Sequence, residues 1–251
     1  MENSNTKKIQ CDYNRLANTK LYKFNLKLRS WLYKWYYLKS IKQSLSNNTG
    51  NEKIFGNFID IGCGTGEKTK YLNEHVLAEG HTLYALDLSE TMTEHAKLQL
   101  TGYHNHNIEF IHGDFITSGK ILTFTGKNIR GVSINQVFHH YSIQEITTFL
   151  QDLYEVIEPG GMVSILDGRN LNKNGNTYMH AVRTHIYNLL VHTYETYKGS
   201  KKSIQMLYIQ DIVQILENIG YTIDITNTKN FFKPLKYIAD YSNTYQIIAY
   251  K

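Results

Sequence analysis

Phe58-Ile59-Asp60-Ile61-Gly62-Cys63-Gly64-Thr65-Gly66 decides the fold of this chain. Residues 58–61 alternate into a buried strand. They lead straight into three glycines at every second position, and a polar, helix-ready segment starts at Glu67. Glycine is needed where backbone takes positive φ or lies against a ligand with no Cβ in the way, and a helix start offers unpaired N–H groups. Such a corner is built to hold a small molecule. Its G-x-G-x-G spacing departs from the G-x-G-x-x-G of dinucleotide-binding corners, so the flanking sequence decides the ligand.

Working outward, residues 83–86 form a second short apolar strand that ends at Asp87, 21 residues after Gly66. A βαβ unit needs about 20 residues to bring a carboxylate to ribose hydroxyls. A carboxylate suits that role because it accepts two hydrogen bonds at once from a vicinal diol. Residues 108–111 read as a third strand running into Gly113-Asp114, and residues 132–134 as a fourth reaching Asn135. Residues 162–166 read as a fifth strand, entered through Glu158-Pro159-Gly160-Gly161 and ended by Asp167. Between them the pattern predicts helices over 68–77, from an N-cap at Ser89, and over 142–156. A last helix over 208–219 precedes strands at 222–226 and 246–250.

These runs, in this order, resemble the class I S-adenosylmethionine-dependent methyltransferases. The glycine corner resembles their motif I, and Asp87-Leu88-Ser89-Glu90-Thr91-Met92 with Ala96 resembles their D-x-S-x-x-M-x-x-x-A run. Gly113-Asp114 is similar to their G-D step. Asn135 to His140 is similar to their S-x-V-L-H-H segment, with Phe138 where leucine is commoner. The resemblance spans about residues 51–251. It implies an α/β, Rossmann-like fold: a seven-stranded, mostly parallel sheet with its last strand antiparallel and helices on both faces. It also implies S-adenosylmethionine as cofactor, with Asp60, Gly62, Cys63, Gly64, Gly66, Asp87, Leu88, Met92, Asp114, Phe115 and Asn135 around it. In that family the acidic residue of the G-D step meets the adenine amino group and its neighbour flanks the ring. Tyr13, in Tyr13-Asn14-Arg15-Leu16-Ala17, resembles the Y-x-x-x-A start at which an early aromatic residue closes over the cofactor.

Composition bounds the rest. With 251 residues, 41% apolar and 20% charged, the chain has material for one large α/β domain. No apolar run reaches the roughly 18 residues of a membrane span and the N-terminus lacks a signal-peptide pattern, so a cytoplasmic protein is expected. Cys11 and Cys63 supply neither a disulfide framework nor metal-ligand spacing. Residues 1–50 hold ten Lys or Arg against Glu2 and Asp12, a net charge of +8, which leaves the remainder at −3. Within them Leu21, Phe24, Leu28, Trp31, Trp35, Leu38, Ile41 and Leu45 mark an amphipathic helix with a basic back. Residues 46–52 read as a loop. The expected organisation is a helical cap at 1–50 and a core at 51–251 carrying a substrate-facing insertion at about 170–207. His180, His185 and His192 of that insertion cannot share one helical face, so no metal site is expected.

A sulfonium methyl is already activated, so alignment is much of the protein's task. Where an O–H or N–H acceptor loses a proton, His139 and His140 are the candidate bases, with His140 ahead of His139 and Tyr141 a weaker one. The leading expectation is methyl transfer to O, N or C of a small molecule. A second is an RNA methyltransferase whose basic N-terminal segment tracks phosphates. It ranks lower because Asn135 is not followed by the P-P-[YFW] step of enzymes that methylate amino groups of nucleic acids. A third is a cofactor-binding protein without transfer activity.

Overall fold

The computed structural model describes residues 37–101, 107–168, 209–225, 229–230 and 244–251, together with Lys7, Gln10 and Cys11. The strands are β1 (Asn57–Ile61), β2 (Thr82–Asp87), β3 (Asn107–His112), β4 (Ile129–Asn135), β5 (Ile157–Gly168), β6 (Thr222–Ile223), β7 (Lys229–Asn230) and β8 (Thr244–Tyr250). They form one sheet in the order β3-β2-β1-β4-β5-β8-β6, with β7 also paired to β8. β1 to β5 are parallel, and β8 runs antiparallel to β5, β6 and β7. The seven expected strands are therefore present with the reversed last strand, and the two-residue β7 is an addition. Strand order reverses between β1 and β4, the switch point at which open α/β sheets bind their ligands.

The helices are α1 (37–49), α2 (Glu67–His75), α3 (Glu90–Leu100), α4 (Ile143–Val156) and α5 (Ile209–Ile219). Side-chain alternation along the strands divides the core in two. Phe58, Leu83, Ala85, Met162 and Ile248 point to the face covered by α1 and α2, where they meet Leu38, Ile41, Leu45 and Leu72. Ile59, Ile61, Val132, Ile134, Val163 and Ile247 point to the face covered by α4 and α5, against Ile146, Phe149, Leu153, Ile212 and Leu216. Gly131 faces Phe58 across the β1–β4 pair, and a Cβ there would sit 2.4 Å from the Phe58 ring.

Several boundaries differ from expectation. β5 begins at Ile157 and takes in residues 158–161, read as its entry; β4 begins at Ile129, before residue 132; and β6 ends at Ile223, short of residue 226. α1 continues to residue 49, through part of the stretch read as a loop. Asn48 Nδ2 donates to the Ser44 carbonyl and Thr49 Oγ1 to the Leu45 carbonyl, satisfying oxygens that a helix end leaves open. α2 stops at His75, short of residue 77. Ile54 donates to the Val76 carbonyl and accepts from the Ala78 N–H, drawing the chain out of the helix into a short parallel bridge with Leu77. The stripe predicted for 21–45 is buried at Leu38, Ile41 and Leu45. Its part before residue 37, the Tyr13 segment and the 170–207 insertion lie outside the described residues. No helix among the described residues is long and apolar enough to cross a membrane.

Candidate active site

The carboxyl ends of β1, β2, β3, β4 and β5 carry Gly62, Asp87, Gly113, Asn135 and Asp167 respectively, along one edge of the sheet. At the glycine corner, Gly62, Gly64 and Gly66 have φ of 77°, 56° and 87°, backbone that L side chains rarely adopt. The three face different surroundings. A Cβ on Gly62 would meet Val137 Cγ2 at 2.4 Å, and one on Gly66 would press on Ala96 Cβ at 3.1 Å. Among the described residues, a Cβ on Gly64 would meet nothing within 4 Å. Gly62 and Gly66 are packing glycines, and Gly64 leaves bare backbone at the open lip.

Asp87 binds that lip. Its Oδ2 accepts the Gly64 N–H and its Oδ1 the Ser89 N–H, both at 2.8 Å. Burial pushes the Asp87 carboxyl up to about 6. The Ser89 and Gly64 N–H groups pull down, the charge of Asp60 pushes up, and His112 pulls down. Ser89 also caps α3, its Oγ accepting the Met92 N–H at 3.1 Å. Met92 is buried beneath this turn, and the Leu88 carbonyl lies 3.1 Å from His112 Nε2.

Beneath the corner lies a buried polar chain. Asp60 takes Thr69 Oγ1 at 2.7 Å and Asn135 Nδ2 at 3.2 Å. Asn135 Nδ2 also bonds Ser133 Oγ, and Ser133 Oγ lies 3.0 Å from the Tyr37 hydroxyl of α1. Burial raises the Asp60 carboxyl, and burial together with Asp87 and Asp60 raises the Cys63 thiol well above its usual range. Among the described residues, Asn135 Oδ1 is buried without a hydrogen-bond partner. A buried acceptor left open costs about 1–3 kcal/mol, so a donor from outside the chain fits there.

The G-D step behaves differently. Asp114 uses its carboxylate on its own loop, accepting from the N–H groups of Ile116 and Thr117 at 2.9 and 3.0 Å and from the Thr117 hydroxyl. Phe115 packs in the core with its ring 6.2 Å from that of Phe124. This pair shapes the loop at the end of β3. A carboxylate has about four lone-pair sites, so Asp114 keeps little capacity for a ligand.

Beyond β4 the chain takes an αL residue at Gln136, φ 58°, and then a short turn over Phe138–His140. Asp167 holds this turn. Its Oδ2 accepts the N–H of Phe138 at 2.6 Å and of Val137 at 3.1 Å, and its Oδ1 lies 2.8 Å from His139 Nδ1. The His139 and His140 rings are 4.0 Å apart. Burial, with Asp114, Asp87 and Glu145 nearby, raises Tyr141 far above the usual phenol range, so its proton stays on. Sequence reasoning placed the histidines here and missed both Asp167 as the partner of His139 and the strained Gln136. An aspartate closing the apolar run 162–166 is the one signal that pointed to the former.

Glycine corner, diol-ready Asp87 and open Asn135 Oδ1 fit the adenosyl ligand that the sequence implies. Among the described residues, no group of three or more His, Cys, Asp or Glu could hold a metal ion.

Comparison with known proteins agrees. Residues 58–161 match a family described as "Methyltransferase domain". The chain is similar to a demethylmenaquinone methyltransferase of Listeria monocytogenes, 27% identical over 152 residues, 59% of this chain and 61% of the relative. It thus spans about three fifths of that relative's length. It is 29% identical over 112 residues to a carboxy-S-adenosyl-L-methionine synthase of Vibrio atlanticus, 44% of each chain. In fold it resembles the magnesium protoporphyrin IX methyltransferase of Synechocystis with bound SAM, at a TM-score of 0.59 and 13% identity, covering 100% of this chain and 98% of the other.

Proposed function

We propose, from the match of residues 58–161 to a methyltransferase domain and the shared fold with a methyltransferase holding SAM, that the protein transfers a methyl group from S-adenosylmethionine to an oxygen, nitrogen or carbon of a small molecule. S-adenosylhomocysteine is the second product. The observation that carries this reading is the Asp87–Gly64 bond. Of the three corner glycines, Gly64 is the one whose missing Cβ faces open space, and its N–H is held by the carboxylate that ends β2. Bare backbone and carboxylate therefore present themselves to one ligand.

In this reading Asp87 takes the ribose hydroxyls, and Asn135, next to Asp60, takes the amino-acid end. Leu88 and Met92 border the adenosine side with the Asp114–Phe115 loop, and Cys63 fills the corner where a small residue suffices. When bound, the donor supplies a methyl carbon already activated by positive sulfur. The chain's own work is to hold an acceptor at about 3–3.5 Å in line with it and to exclude water.

The name of the Listeria relative directs the first trial to demethylmenaquinone as acceptor. The match to a carboxy-S-adenosyl-L-methionine synthase supports a second reading, in which the ligand is bound and no methyl group is transferred. Incubating the full chain with methyl-labelled S-adenosylmethionine and cell extract, then separating lipids, polar metabolites, RNA and protein, tests both. Label in a small-molecule fraction is expected. Label in RNA would favour phosphate tracking by the basic N-terminal segment, and label nowhere with S-adenosylhomocysteine still bound would favour the second reading.

A further inference from the structure

We propose that His139 is the base that removes a proton from the acceptor and that Asp167 is its positioning residue. The acceptor then belongs to the class that loses a proton on methylation, such as a phenol, enol or other weakly acidic O–H or N–H compound. This deepens the methyl-transfer reading above and rests on it.

Asp167 is 1% exposed and uses both oxygens. Oδ2 is committed to two backbone N–H donors, Val137 and Phe138, so the carboxylate cannot swing away from the turn. Oδ1 then faces His139 Nδ1 at 2.8 Å. An ionised carboxylate only accepts, so Nδ1 carries the hydrogen and Nε2 keeps its lone pair. The His139 side chain is 15% exposed. Nε2 has no hydrogen-bond partner among the described residues. The turn also abuts the ligand corner, since Val137 Cγ2 sits 2.4 Å from where a Gly62 Cβ would be. An imidazole held in one tautomer beside the corner is how a fold builds a base. His140 lies against its ring, and Tyr141 holds its own proton.

The step balances without another reagent. The acceptor's proton passes to His139 Nε2, and the electron pair it leaves forms the bond to the methyl carbon. The carbon–sulfur bond breaks and its pair returns to sulfur, turning the sulfonium into a neutral thioether. Asp167 then faces an imidazolium, which its charge stabilises.

Asp167 also caps the turn, and Asp167→Asn separates that duty from positioning. The Val137 and Phe138 N–H groups require an oxygen, so the amide oxygen takes the place of Oδ2 and the NH2 group faces His139 Nδ1. The turn survives, while His139 is forced to carry its hydrogen on Nε2, where it cannot accept a proton. Three measurements on the full chain test this. They are side-chain 15N NMR of His139, calorimetry with S-adenosylhomocysteine, and label transfer from methyl-labelled S-adenosylmethionine into an organic-solvent cell extract. Expected are the Nδ1–H tautomer in the parent and Nε2–H in Asp167→Asn, ligand affinity within about twofold, and transfer lowered about 10²–10⁴-fold. His139→Gly should lose transfer likewise and regain part of it with added imidazole, and His139→Gln serves if the glycine variant fails to fold. An Nδ1–H tautomer retained in Asp167→Asn overturns the positioning role. Full transfer by either His139 variant overturns the base while leaving methyl transfer standing. No transfer by the parent, with ligand still bound, overturns the methyl-transfer reading and the base with it.

Discussion

The Gly64 N–H donates to Asp87 Oδ2 at 2.8 Å, which joins the corner after β1 to the end of β2. The same carboxylate takes the Ser89 N–H and so reaches the start of α3. One residue thereby sets the relative positions of three pieces of backbone at the carboxyl ends of β1 and β2.

Affinity for S-adenosylhomocysteine should fall as pH drops through about 6. The Asp87 carboxyl is pushed up to about 6 by burial, and ribose hydroxyls donate to its ionised form. Binding is therefore full above that pH and weakens toward about tenfold per unit below it. The stability of the ligand-free protein runs the other way. The folded carboxyl holds its proton more tightly than the unfolded chain, whose value is about 3.9. This group's contribution is thus present below about pH 4 and lost as pH rises toward 6. Calorimetry and urea titration across pH 4–8 check both signs, and Asp87→Asn should flatten both profiles.

Alanine at the corner glycines should separate packing from ligand contact. Gly62→Ala drives a Cβ to 2.4 Å from Val137 Cγ2 and forces positive φ on a side chain. A stability loss of roughly 2–4 kcal/mol is expected. Gly64→Ala meets nothing within 4 Å, so only the backbone cost of about 1–2 kcal/mol applies, while its methyl group occupies the ligand's side of the lip. Urea titration should rank Gly62→Ala as the less stable, and calorimetry should show S-adenosylhomocysteine binding weakened in the folded Gly64→Ala protein.

The sheet and the glycine corner were legible because their signals are local. Glycine spacing, the run that ends at Asp87 and the Ser89 cap each lie within one turn and its neighbours. What escaped was set by partners distant in sequence. The early end of α2 depends on Ile54, and the tautomer of His139 on an aspartate 28 residues away. Gln136 adopts φ 58° with no residue preference to announce it. That Asp114 also serves its own loop, through Ile116 and Thr117, could not be read from the G-D step.

Ser142→Ala should cost stability and leave ligand binding intact. Ser142 and Glu145 form a reciprocal cap on α4, with Ser142 Oγ accepting the Glu145 N–H at 3.2 Å and Glu145 Oε2 accepting the Ser142 N–H at 2.7 Å. Loss of such a cap costs about 1 kcal/mol. α4 packs on the sheet face opposite α1 and α2, so a urea midpoint lowered without a change in calorimetric affinity is the expected result. A matching loss of affinity would show that α4 steers the His139 turn that precedes it.

Tyr37 and Asn135 belong to one buried chain and should fail differently. The Tyr37 hydroxyl meets Ser133 Oγ at 3.0 Å, Ser133 meets the Asn135 amide, and that amide meets Asp60 Oδ1 at 3.2 Å. Tyr37→Phe removes the end that anchors α1. About 0.5–1.5 kcal/mol of stability should go with it, with S-adenosylhomocysteine affinity little changed, because Ser133 and Asp60 still hold the amide. Asn135→Ala removes the acceptor itself, whose Oδ1 is buried and without a partner among the described residues. Affinity should then fall about tenfold or more, and stability should drop by about 1–3 kcal/mol, since the buried Asp60 Oδ1 loses its amide donor. The double variant distinguishes two separate roles from one coupled unit: losses that add within about 0.5 kcal/mol mean independence. A larger interaction energy would mean that α1 tunes the ligand site through Ser133.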